Sequence, residues 1–235
     1  MIPRPSSRRT HRARFETRHA PGTALPLHRH VASYVAVVVD GGYFEASADG
    51  MFWCEPGCVT VHPALHAHAN RFPGSGARVL NLACPPRMLG VGEGCHVLRL
   101  THLSSQALAR LAVPDLPGAL REATPVPPLA PASLAQLAAA LLDEHPAMPV
   151  AALASRLGVS REHLAREFRR SFGLSPATYR TERRLRRTVA LLGAGHVLLS
   201  RVAQEVGFAD HAHLTRTIGA AAGMPPSALR RWLQH

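Results

Sequence analysis

Two histidines separated by one residue, His28 and His30, are followed further along the chain by a second such pair, His66 and His68. Alternate side chains of a β-strand share a face, so each pair presents two imidazoles to one side. Three imidazoles and a water make a sound site for Zn(II), Ni(II), Cu(II) or Fe(II). His28, His30 and His66 are the first candidate ligands, and His68 can join His66 on its face. Tyr34 could bind an organic ligand or the metal itself, and Trp53 with Phe52 could floor a pocket. The same histidines could hydrogen-bond a small organic molecule instead, so both kinds of ligand stand. Cys54, Cys58, Cys84 and Cys95 read as reduced thiols, available as ligands or simply buried.

A second chemistry is written in arginine. The chain carries 27 basic residues, all of them Arg, and a formal net charge of +12. Such an excess favours a polyanionic partner, and guanidinium suits bidentate contact to phosphate and to guanine edges. A GC-rich genome would also write Arg wherever Lys could serve, so position has to decide. The arginines concentrate around a repetition: HLAREFRRSFGLSP, from His163, returns about fifty residues later as HLTRTIGAAAGMPP, from His213.

These residues need elements to hold them. Residues 1–20 carry Arg4, Arg8, Arg9, Arg12, Arg14 and Arg18 with little periodicity and read as a mobile basic tail entering a first strand. Over residues 21–112 short apolar runs alternate with Gly, Pro and Asp, as in SYVAVVVDGG, YFEASADG and FWCEPGCVTVHP, which argues for an antiparallel sandwich or barrel. The pattern turns helical from Ser104 to Leu111. Residues 113–132 then hold six prolines, Pro114, Pro117, Pro125, Pro127, Pro128 and Pro131, and read as a linker or a docked extended arm. Residues 133–147 predict a packing or dimerisation helix capped by Ser133, whose Leu134, Leu137, Leu141 and Leu142 form a stripe for the barrel or a second subunit. Residues 148–235 predict six short helices with Gly-containing turns. The longest apolar run, YVAVVV, is far too short to cross a bilayer, and the N-terminus lacks the apolar core of a signal peptide, so a cytoplasmic protein with no membrane contact is expected.

Within the helical part, VAALASRLGVSREHLAREF reads as helix, Gly turn, helix, and SRVAQEVGFADHAHLTRTI repeats the arrangement. A helix-turn-helix props its second helix so that N-terminal side chains reach the major groove. Together with GLSPATYR at 173–180, the basic helix RTERRLRRTVALL at 180–192 and VAQEVGFADHAHLTR at 202–216, the last hundred residues resemble the AraC family of transcription regulators. The resemblance implies an all-α double helix-turn-helix on double-stranded DNA, with the basic helix spacing two reading helices. It places Arg161, Glu162 and Arg166 on the first reading helix and His211, His213 and Arg216 on the second. Arg166 and Arg216 are the candidates for base reading. Arg169, Arg170 and the early arginines of the linker helix would meet phosphates or pair locally with Glu167 and Glu182.

The first part resembles a cupin barrel, a common sensory domain in that family. Gly22, His28, His30 and the closing Gly41 or Gly42 match its first motif, and Glu55-Pro56-Gly57 with Pro63, His66 and Asn70 its second. Metal-binding cupins place a Glu after the first pair, where this chain has Tyr34 and Val35. The whole chain is thus expected to be a regulator, not an enzyme, whose cupin-like domain senses a transition metal or an organic effector. The resemblance implies a homodimer and contact with RNA polymerase. A metal-dependent cupin enzyme with a helical appendage is the alternative from another class, and the missing carboxylate counts against it.

Overall fold

In the computed structural model, which describes residues 14–85, 94–130, 133–195 and 198–234, the chain divides between Leu129 and Ala130 into two units. The first is built on the strands β1 (Arg14–His19), β2 (Thr23–Arg29), β3 (Tyr34–Gly41), β4 (Tyr43–Ser47), β5 (Gly50–Cys54), β6 (Cys58–His62), β7 (Ala67–Phe72), β8 (Ala77–Ala83), β9 (His96–Arg99) and β10 (Thr124–Pro125). They form a 6-stranded sheet in the order β1-β8-β3-β6-β9-β10 and a 4-stranded sheet in the order β2-β7-β4-β5, so the strands make two sheets rather than one closed barrel.

The run YVAVVV is apolar throughout because both faces of β3 are covered. Ala36 and Val38 lie in a core with Tyr43, Phe52, Cys54, Phe72 and Val97, where the two sheets meet. Val35, Val37 and Val39 lie in a second core with Leu80, Leu82, Leu108 and Leu116. Those last two leucines come from α1 (Ser105–Arg110) and α2 (Leu116–Arg121), which cap the outer face of the larger sheet. Removing so much aliphatic surface from water, at about 25 cal/mol per Å², is what holds this unit together. The four cysteines are buried thiols rather than disulfides, and Cys54, Cys58 and Cys84 belong to these cores.

The proline-rich stretch is more regular than its composition predicts. It contains a 3₁₀ turn at Val113–Asp115, then α2, then β10, which pairs with β9. Pro114 and Pro117 each stand in the first turn of a helical segment, where the missing N–H has no partner to lose. Pro125 closes the short edge strand β10. The predicted tail likewise becomes a strand from Arg14 on, paired with β8, whereas Arg4, Arg8, Arg9 and Arg12, like Pro131 of the predicted linker, lie outside the described residues.

The second unit contains α3 (Leu134–Glu144), α4 (Val150–Arg156), α5 (Arg161–Phe172), α6 (Pro176–Ala194), α7 (Leu199–Glu205), α8 (His211–Ala222) and α9 (Pro226–Gln234). The leucine stripe of α3 does not form its buried face. Ala135, Ala138, Ala139 and Leu142 are buried, and α3 packs on α4, α5 and α6 of its own unit, while Leu137 is 56% exposed. Small side chains let helix axes approach closely, which is why alanines serve here. The Ser133 hydroxyl leaves the helix uncapped and bonds Ser171 at 3.3 Å. Among the described residues no helix is long and apolar enough to cross a membrane.

Candidate functional site

The helical unit uses one turn twice. At the end of α4, Gly158 (φ 67°) donates to Ser155 O and Val159 N–H donates to Ala154 O at 3.1 Å. At the end of α7, Gly207 (φ 77°) donates to Gln204 O and Phe208 N–H donates to Ala203 O at 2.9 Å. Both are Schellman closures, which require the left-handed conformation that glycine adopts without strain. Each following helix is then capped: Ser160 Oγ accepts from His163 N–H at 3.1 Å, and Asp210 Oδ1 from His213 N–H at 2.6 Å. Leu153, Leu164 and Phe168 close the angle of the first hairpin, and Val202, Leu214 and Ile218 that of the second, all of them fully buried.

With the apolar faces fixed, the polar faces are left in solvent. Arg161, Glu162, Arg166, Arg169 and Arg170 of α5 are exposed, and the first four with Ala165 line a shallow depression. Arg170 is engaged, its Nη2 lying 2.7 Å from Glu167 Oε2. On α8, His211 and Arg216 are exposed, whereas His213 is half-buried with its ring 5.1 Å from that of Phe208.

The early arginines of α6, expected at phosphates or in local pairs, have partners within the unit. Arg180 Nη1 donates to Met148 O at 2.6 Å, and both Nε and Nη2 of Arg184 donate to Pro146 O. Arg183 makes a bidentate pair with Asp143 of α3, 2.7 Å on each arm. Arg187 Nη2 lies 3.3 Å from Glu205 of α7. Arg180 and Arg184 thus satisfy carbonyls of the α3–α4 connection, while Arg183 and Arg187 pair with carboxylates of α3 and α7. Of the local pairings expected, that of Arg170 with Glu167 is made.

In the first unit the two sheets bring together His28, His30, His62, His66 and His68. The smaller sheet supplies His28 opposite His68 on β2 and β7, and Ser47 and Glu45 of β4 lie across from His68 and Asn70 of β7. The larger sheet supplies Tyr34 opposite His62 on β3 and β6. His66 hangs on a turn whose Leu65 has φ 61°, held by its N–H to His30 O at 2.9 Å and by the buried Arg29, which donates to Leu65 O at 3.2 Å.

The predicted ligand set is therefore regrouped. His28, His30 and His68 could hold one ion, and Glu45, His62, His66 and His68 another, each group with its donor atoms within 4.8 Å of one another. His66 belongs with His62 (Nδ1 to Nδ1, 3.2 Å) and not with the His28 and His30 pair; a third possible group joins it to Asp49 and Cys95. Tyr34 lies within the cluster, its hydroxyl 3.0 Å from His68 Nε2 and its ring stacked on His62 at 4.4 Å. Trp53 does not. Register sets it opposite Phe44, one residue out of phase with Glu45 and Phe52, so it faces away, with Nε1 donating to Glu55 at 3.2 Å. Adjacent residues of a strand cannot floor one pocket.

Burial sets the charge states. It holds His62 and His68 well below the usual histidine range, with the neighbouring histidines adding to the effect, and it lowers His30 to about 4. His28 is lowered for the same reason. Burial also raises Glu45 to about 8, although Asn70 Nδ2 donates to its Oε2 at 2.5 Å. At neutral pH His28, His30, His62 and His68 are uncharged, their lone pairs available. Sequence reasoning missed Glu45 as a donor and Asp49 as a hydrogen-bond partner of the cluster; the turn ADG after β4 was the available signal for the second.

Residues 153–231 match the family described as a helix-turn-helix domain. No curated protein matches the chain. Among solved structures the chain is similar to ToxT from Vibrio cholerae, with 8% identity over 95% of this chain and 100% of that one and a TM-score of 0.46. It is also similar to the C-terminal domain of AraT, a response regulator from Geobacillus stearothermophilus, with 21% identity, 43% and 85% coverage and a TM-score of 0.41. A transcriptional regulator with an AraC-type DNA-binding domain from Chromobacterium violaceum gives 24% identity, 43% and 91% coverage and a TM-score of 0.39.

Proposed function

We propose that this chain is an AraC-type transcription regulator that binds double-stranded DNA through α5 and α8, with an effector domain in its β-sheet unit. The observation that carries the reading is the duplicated hairpin: two Schellman turns and two capped second helices, each leaving an arginine exposed on its first turns. Arg166 and Arg216 read base edges, because a guanidinium bonds guanine O6 and N7 together. Arg161 and Arg169 meet phosphates, which positions the protein without reading sequence. The effector, a metal ion or a small organic molecule, sits among the histidines around Tyr34 and shifts DNA affinity only as far as it binds the two states of the protein unequally. A homodimer and contact with RNA polymerase complete the reading. The test is selection of bound sequences from a random duplex pool by the full chain, repeated with Arg166→Ala/Arg216→Ala. A shared motif that the double variant loses is expected, and a pool that stays random with the unaltered protein would overturn the proposal.

A further inference from the structure

We propose that Glu45, His62, His66 and His68 form a buried site for one four-coordinate transition-metal ion of the Zn(II) class, separate from the His28 and His30 pair that the sequence motif puts forward. Three observations meet there. All four residues are at most 6% exposed, and one donor atom from each lies within 4.8 Å of the rest. Two of those residues carry polar atoms with nothing to bond, Glu45 Oε1 and His68 Nδ1. Such orphans are uncommon in a folded interior and call for a missing partner. The partner suited to a carboxylate oxygen and imidazole nitrogens together is a cation.

The spacing agrees. In a tetrahedral site with bonds of about 2.0 to 2.1 Å, neighbouring donors stand about 3.3 Å apart. His62 Nδ1 is 3.2 Å from His66 Nδ1 and 3.8 Å from Glu45 Oε1. The tautomer of His66 is set from outside, since Asp49 Oδ2, 3.2 Å from its Nε2, can only accept. In the metal-binding form, with one ring hydrogen, that hydrogen sits on Nε2 and the Nδ1 lone pair faces His62. Asp49 is itself fixed by the Cys95 N–H at 3.1 Å. A carboxylate behind a metal-binding imidazole is the usual way such a ring is oriented. The carboxylate absent after His30 is thus supplied from β4. Half-buried His28 lies beside the site, its ring 4.3 Å from that of His68.

The inference rests on the reading above only for its regulatory meaning; the site is tested without DNA. Untagged full-length protein, stripped with chelator, is titrated with Zn(II) by calorimetry and with Co(II) by absorption. One ion per chain is expected, with the intense visible bands of four-coordinate Co(II) and no thiolate charge-transfer band. His28→Ala/His30→Ala should keep Zn(II) affinity within about threefold, whereas Glu45→Gln and His62→Asn should each weaken it at least a hundredfold. Circular dichroism monitors folding, and should the buried variants not fold, the histidine pair variant and the Co(II) spectrum decide. Loss of binding in His28→Ala/His30→Ala, a thiolate band from Cys95, or no stoichiometric uptake of either metal would each overturn the site. Zn(II) uptake by a protein that selects no DNA motif would sink the regulator and leave the site standing, and the reverse result would do the opposite.

Discussion

The hairpins α4–α5 and α7–α8 share a turn down to its hydrogen bonds, yet they are supported differently. Around Gly158 there is open space where a Cβ would project, so that glycine answers only to its backbone angle. Around Gly207 a Cβ would stand 2.8 Å from Ala147 N and 2.9 Å from Pro146 C, so that glycine also admits a neighbouring chain. The same Pro146 carbonyl is held by Arg184 of α6. The second hairpin's turn is thereby seated against the unit's own backbone, while the first hairpin's turn stands clear of it. Charge divides the other way. Arg169 and Arg170 of α5 correspond in the repeat to Gly219 and Ala220 of α8. One hairpin carries the greater exposed charge and the other the more closely seated turn.

The comparison can be broken most severely at the glycines. Gly207→Ala combines left-handed strain with a backbone clash and should lower stability by about 3 kcal/mol, against about 1 kcal/mol for Gly158→Ala. Urea denaturation measures both, and equal losses would remove the distinction. Next come the reading residues. Arg216→Ala should lose about 2 kcal/mol on the selected sequence and relax preference at one or two positions. Arg169→Ala should weaken all sequences alike and reduce the salt slope by about one. An Arg216→Ala loss that is the same on selected and random duplexes would refute this division. The caps follow: Ser160→Ala and Asp210→Ala should each cost about 1 kcal/mol, the latter more at low salt because a carboxylate also meets the helix dipole. The smallest effect is expected for Arg170→Ala, whose exposed pair with Glu167 contributes at most about 0.5 kcal/mol. A thermal melt shifted by many degrees would show that this pair does more than geometry suggests.

Much of the helical unit was legible because its signals are local. Gly158, Gly173, Gly207 and Gly223 all have positive φ and end helices, and Ser160, Ser175 and Asp210 all cap the helices that follow them. What arginine does was not legible: Arg169 and Arg183 are the same residue in sequence, and only the fold places Asp143 beside one of them. The leucines of α3 form a stripe in sequence, but close helix packing prefers the smaller side chain, and Ala135, Ala138 and Ala139 take the buried face. The histidine cluster was half legible. His-x-His shows on any strand, but Glu45 meets His62 only because two sheets face each other. Moreover β4 turns Tyr43, Glu45 and Ser47 inward and Phe44 outward, inverting the polarity that alternation leads one to expect. Trp53 fell to the same parity.

The bond between Arg183 and Asp143 bears on where the smallest independent fragment holding both hairpins begins. A protein cut at residue 148, where the repeat starts, would expose the apolar surface that Ala135, Ala138, Ala139 and Leu142 roof over, and would leave a guanidinium without its carboxylate. A cut at residue 130 keeps roof and rivet, and yields a piece that should express as a soluble monomer.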